Sequence, residues 1–175
     1  MTTKSIQQPE PGIVHGLFLY LLVFALWMLL VGNLDTAEMA AGVVVALIVT
    51  LASRPHLSIL TGLIISPTAL LPLLRYLGTF IVALVQANLD MARRVLSPSL
   101  PLQPAVVEVE TKLKSPLGRL ILANTITLTP GTLTVDVQDR VLLVHWVDSP
   151  PGSDLASTTQ AITSKFEQHL KGFVL

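Results

Sequence analysis

The stretch LANTITLTPGTLTVDV, residues 122–137, decides how the rest of the chain is read. Apolar residues alternate with threonines, the pattern breaks at Pro130-Gly131, and alternation resumes. Proline sets φ at the first position of a turn and glycine allows positive φ at the next, as a type II turn requires. The local reading is a helix end, a turn and the start of a strand, with threonines alternating because strands alternate. The uncharged hydroxyls leave two roles open, a structural corner or a cation site.

Upstream of this stretch the chain is written for a bilayer. Of 175 residues, 51% are hydrophobic and only 13% charged, against about 25% charged in a soluble domain. Residues 1–12 are polar, with two prolines, and read as a disordered tail. Residues 13–31, IVHGLFLYLLVFALWMLLV, are long enough to span. That apolar core exceeds a signal peptide's and no small-residue cleavage pattern follows it. A turn around Asn33 leads to a second helix at 37–52, for which Asp35 and Glu38 have capping-box spacing. Glu38 is also a candidate ion-path or partner contact, because an acid at membrane depth is a default site of ion handling. Ala37, Ala41, Gly42 and Ala46 are small residues that let helix backbones approach closely.

A third segment, 67–96, is amphipathic. Arg75, Thr79, Gln86, Asp90 and Arg93 share one face at a period of about 3.6 residues, with Leu74, Leu77, Phe80, Ile81, Leu84 and Leu89 opposite. Arg75, Gln86 and Asp90 are candidate contacts to a partner or a wet path. The alternative is an interfacial helix with snorkelling arginines. The distribution of Lys and Arg prefers a hairpin of the first two helices plus an interfacial third, and leaves a third crossing open.

The sequence then changes character. A proline-rich linker at 97–104 precedes an α+β domain at 105–175. Val107, Val109, Thr111 and Leu113 alternate with charged residues, as in a half-buried strand. Ser115-Pro116 starts a helix, with Leu117, Leu120, Ile121 and Asn124 as its inner face. Residues 132–137 form a second strand with Leu133, Val135 and Val137 on one face, and 141–147 a third. Ser153 or Asp154 caps a last helix lined by Leu155, Ile162, Phe166 and Leu170. The order β-α-β-β-α reads as a reduced ferredoxin-like fold, small enough to lean on a membrane or another chain. Asp136 falls on the polar face of its strand, as a solvated or hydrogen-bonded residue.

Net charge is zero and cysteine is absent, so neither nucleic-acid binding nor thiolate chemistry is indicated. No nucleotide loop, metal-ligand cluster or catalytic triad pattern occurs. The expectation is a non-enzyme without cofactor or metal.

The 122–137 stretch resembles the signature of the E-type component of multisubunit Na+/H+ antiporters, the Mrp (Mnh, Pha) family. The residues that carry it are Asn124, Thr127, Thr129, Pro130, Gly131, Thr132 and Asp136, and QANLDM at 86–91 followed by Pro98 is similar to a second family pattern. The resemblance implies a non-catalytic subunit of a multi-pass complex in the cytoplasmic membrane that exchanges Na+ for protons. It implies as partners the large antiporter subunits related to respiratory complex I, small F- and G-type subunits and membrane lipid, with the soluble domain in the cytoplasm. Roles in assembly and in lining a cation path follow from it. Two alternatives stand beside it: a membrane-anchored adaptor, and the equivalent subunit of a membrane-bound hydrogenase-type complex.

Overall fold

A computed structural model describes residues 12–98, 102–150 and 152–175. The expected tail lies outside the described residues except for Gly12, as do positions 99–101 of the linker. The chain divides into two compact units, Met1–Ile65 and Ser66–Leu175.

The first unit is a helical hairpin. Helix α1, Ile13–Val31, is apolar on every side and buries none of its residues within the protein, which is the signature of a helix solvated by lipid. Gly32 ends it in the left-handed conformation, its N–H donating to the Met28 carbonyl at 3.0 Å. Helix α2, Thr36–Ala52, packs back on α1 through the buried Gly42 and Ala46. The Trp27 indole donates to the Glu38 carbonyl at 3.1 Å. The expected capping box is absent: the Asp35 carboxylate accepts from the Asn33 amide instead of from the helix. The apolar residues after α2 form a 3-10 helix, Arg54–Gly62, bent from α2 by 84°.

In the second unit a 3-10 turn, Pro67–Ala69, is capped by Ser66 and leads into α3, Leu70–Leu96. There follow β1 (Ala105–Glu110), α4 (Pro116–Leu128), β2 (Thr132–Gln138), β3 (Val141–Trp146), α5 (Leu155–Ile162) and α6 (Ser164–Leu170). The sheet order is β1-β3-β2, antiparallel throughout, so β1 and β2 are parallel to each other on either side of β3. Helices α4, α5 and α6 cover one face. Val109, Leu113, Leu122, Ile126, Leu142, Val144, Phe166 and Leu170 are fully buried between them and the sheet.

Several local expectations are corrected here. On α4 the buried residues are Gly118, Leu122, Ala123, Thr125 and Ile126, whereas Leu120 and Asn124 are exposed. Sequence periodicity assumed one covering layer, but α4 is covered by the sheet on one side and by Tyr76 of α3 on another. On β2 the apolar Leu133, Val135 and Val137 are exposed, as are Asp136 and Gln138. Before the bulge the inward positions are Thr132 and Thr134, whose hydroxyls bond to α4, and the bulge between Thr134 and Asp136 shifts the register so that Val137 stands opposite the buried Leu142. The final helix is two helices. Fully buried Thr163 sits between them, its hydroxyl donating to the Thr159 carbonyl at 2.8 Å. Asp154 makes the N-terminal cap, in a reciprocal box with Ser157.

Candidate functional site

The threonine-rich corner is built by hydroxyls that satisfy backbone groups. Thr125 and Thr127 lie in the last turns of α4 and not in a strand, so the alternation before Pro130 is helical. Thr125 Oγ1 donates to the Ile121 carbonyl at 2.7 Å and Thr129 Oγ1 to the Thr125 carbonyl at 2.9 Å. Thr132 Oγ1 donates to the Ile126 carbonyl at 2.6 Å and Thr134 Oγ1 to the Ala123 carbonyl at 3.0 Å. Thr127 Oγ1 accepts from the Thr134 N–H at 3.1 Å. A helix end leaves its last carbonyls unpaired, and the hydroxyls of Thr129 and Thr132 bond to two of them, those of Thr125 and Ile126. Gly131 has φ +93°, the left-handed conformation a glycine adopts without strain. Asn124 is exposed. Asp136 is exposed on the open sheet face, its carboxylate accepting from the Gln138 amide and the Val137 N–H. Those two donors hold its pKa below the ordinary carboxylate value.

Helix α3 has three faces. Tyr76 and Ala83 are buried, and with the half-buried Phe80, Ala87, Met91 and Arg94 they form a seam against the α+β layer. Leu74, Leu77, Ile81, Val85 and Leu89 point outward and are exposed. The predicted polar stripe runs along the border between these two faces.

The stripe divides by function. Arg75, Thr79 and Gln86 line a groove of about 450 Å³, whose other wall is Lys165 and His169 of α6. Burial lowers the Lys165 pKa, and its ammonium lies 4.9 Å from the centroid of the Phe166 ring. Asp90 is not in the groove. It pairs with Arg94 at 2.7 Å, and Arg94 reaches Asp148, just beyond β3, at 2.6 Å. Glu38, in the first turn of α2, belongs to the other unit. The contribution of α6 to the groove was invisible to sequence reasoning, since Lys165 and His169 lie about 90 residues away along the chain. Among the described residues no group of three or more His, Cys, Asp or Glu is placed to hold a metal ion.

A family model described as Na+/H+ ion antiporter subunit matches residues 20–172. The E-type Na+/H+ antiporter subunit of Alkalihalophilus pseudofirmus is 39% identical over 80 residues, 45% of this chain and 51% of that protein. The E1-type subunit of Staphylococcus saprophyticus is 27% identical over 130 residues, 73% of this chain and 79% of that protein. The aligned part of the chain thus spans about half the length of the first of these relatives. Among solved structures, a chain of the membrane-bound sulfane sulfur reductase, an archaeal respiratory membrane complex, superposes with a TM-score of 0.79. It is 34% identical, and the match covers 91% of this chain and 98% of that one.

Proposed function

Because the chain belongs to the Na+/H+ ion antiporter subunit family, we propose that it is the E-type component of a membrane complex exchanging Na+ for protons. It works beside large antiporter subunits and small F- and G-type subunits and has no catalytic site of its own. The observation that carries this is the family match across both units, 20–172, which includes the threonine corner. The apolar helices agree: α1 and Pro67–Leu96 are each long and apolar enough to cross a bilayer.

Length alone does not decide how α3 is used. Its contacts to the α+β layer extend along most of its length. A side chain at Gly172 would fall on Pro72, Tyr76 meets Thr125 and Phe173, Met91 lies over Gly131, and Arg94 meets Asp148. A crossing α3 would draw the charged surface of that layer into hydrocarbon, which costs several kcal/mol for each group left unsatisfied. This supports α1 and α2 as a membrane hairpin and α3 as a helix lying in the interface. The α+β domain, a reduced ferredoxin-like unit in our reading, then sits on the cytoplasmic side with Arg54, Arg75, Arg93 and Arg94. The domain limits 13–96 and 105–175 are functional in this reading: membrane-associated and cytoplasmic.

Deleting the gene and measuring Na+-dependent proton exchange in everted vesicles tests the proposal. Loss of exchange is expected, and unchanged exchange with an intact complex overturns it. A second reading, a component of a respiratory complex that shares this module, is favoured by the near-complete overlap with the sulfane sulfur reductase chain. Mild-detergent purification separates the two: redox subunits in the purified complex select the second reading, and antiporter subunits alone the first.

A further inference from the structure

We propose that the groove between α3 and α6 seats the phosphate of an anionic membrane phospholipid. The proposal rests on the interfacial reading of α3 given above. Arg75, Lys165 and His169 line the groove, together with Thr79 and Gln86, and no carboxylate does. Neither Arg75 nor Lys165 is in an ion pair among the described residues, whereas Arg94 and Lys171 are. Two cationic side chains lining one groove that holds no carboxylate make it electropositive, and an anion seated there is attracted to both. A guanidinium presents a planar fork to phosphate oxygens and an ammonium a compact charge. The Thr79 hydroxyl and Gln86 amide add neutral donors.

Position selects a lipid over other anions. The groove is bordered on one side by the outward face of α3, where Leu74, Ile81 and Val85 are all more than half exposed. With that face in the acyl region, the groove falls at headgroup depth, where anionic lipids are concentrated. A lipid phosphate arrives with its acyl chains beside those apolar side chains, so one molecule satisfies both the cations and the apolar wall. A free phosphate satisfies only the first. An acidic segment of another protein in the complex would leave the apolar border uncovered.

The test uses the full-length protein in nanodiscs and reads the rate at which an amine reagent modifies Lys165. Phosphatidylglycerol discs should slow the reaction several-fold relative to phosphatidylcholine discs. Arg75→Gln should weaken the effective affinity for phosphatidylglycerol about five-fold, the value of one surface charge. Arg75→Lys should retain most of it. Arg119→Gln, on α4 and bonded to the Asp139 carbonyl, should leave it unchanged. Equal protection by inorganic phosphate in phosphatidylcholine discs overturns the lipid assignment. So does a carbodiimide cross-link from Lys165 to a neighbouring protein in the purified complex, or an equal effect of Arg119→Gln. If a variant fails to fold, the lipid comparison on unmodified protein stands alone, and equal rates in the two discs refute the proposal. Cysteines placed singly at Thr68 and Ser97 of this cysteine-free chain report topology separately. Labelling from one side with no lipid preference sinks the lipid site alone, and labelling from opposite sides sinks the interfacial reading itself.

Discussion

The hydroxyl of Tyr76 on α3 is hydrogen-bonded to the hydroxyl of Thr125 on α4 in the buried interior of the second unit. Thr125 already donates its proton to the Ile121 carbonyl, so Tyr76 is the donor and Thr125 the acceptor. The Tyr76 ring stacks on Phe80 and meets Phe173 at 5.4 Å between centroids. One tyrosine thus ties the amphipathic helix both to the threonine corner and to the C-terminal segment. Tyr76→Phe keeps the ring and removes the bond, at an expected cost of about 1 kcal/mol. Thr125→Val removes both of its bonds and should cost about 1–3 kcal/mol. Denaturant titration of the two variants and the double variant should give a coupling of at least about 0.5 kcal/mol. Strict additivity would mean that the two hydroxyls do not act together.

Gly42 sets the spacing of the hairpin. A Cβ there would fall 2.7 Å from Trp27 Cδ1 and 3.2 Å from Phe24. Gly42→Ala should cost about 1–3 kcal/mol by overpacking, and Gly42→Leu should separate the helices. Trp27→Phe in the Gly42→Ala background should recover part of the loss. Thermal denaturation in detergent is the measurement, and wild-type behaviour of Gly42→Leu would refute the packing.

The corner hydroxyls predict a separation of stability from transport affinity. Thr134→Val loses the bond to the Ala123 carbonyl and should destabilise the α+β unit by about 1 kcal/mol. Asn124→Ala, at an exposed position, should be near neutral. Neither should alter the Na+ concentration that half-saturates exchange in vesicles. A shift in that value with Thr134→Val, at unchanged stability, would reinstate a cation site.

Asp148→Asn should loosen the end of α3. It removes one of the two carboxylates that hold Arg94, and amide exchange should accelerate in the last turn of α3 while α4 is unaffected. High salt should reproduce part of the effect in the wild type, because the pair is partly exposed and screened. Unchanged exchange in that turn would show the pair to be incidental.

The Asp154 cap predicts a pH dependence. The Ser157 hydroxyl, and then its N–H, hold the Asp154 carboxyl below its ordinary value near 3.8. A lowered folded-state pKa contributes stability that is complete above the ordinary value and is lost as pH falls through the lowered one. Wild type should therefore exceed Asp154→Ala by a constant margin across neutral pH. The margin should narrow only in strong acid. Asp154→Asn caps without titrating, so its stability should lack this acid-side loss. Urea titrations of the three proteins from neutral to strongly acidic pH are the check.

Local pattern carried much of this fold. The apolar run Ile13–Val31, the Pro130-Gly131 turn, the alternation within β1 and the Asp154 cap each depend on interactions within a few residues and are legible in the sequence, although β1 ends at Glu110, before the alternation through Leu113 does. The polar stripe on α3 was legible too, since Arg75, Thr79, Gln86 and Asp90 repeat at helical spacing. What it faces was not. Arg75 and Gln86 share a groove with Lys165 and His169, whereas Asp90 turns to Arg94. The same limit explains α4 and β2. Thr125 is buried because Tyr76 covers it, and Leu133 and Val135 are exposed because the inward threonines on β2 bond to α4. Periodicity records which residues share a face. Which face is covered depends on contacts between segments far apart along the chain, and only the tertiary structure contains those.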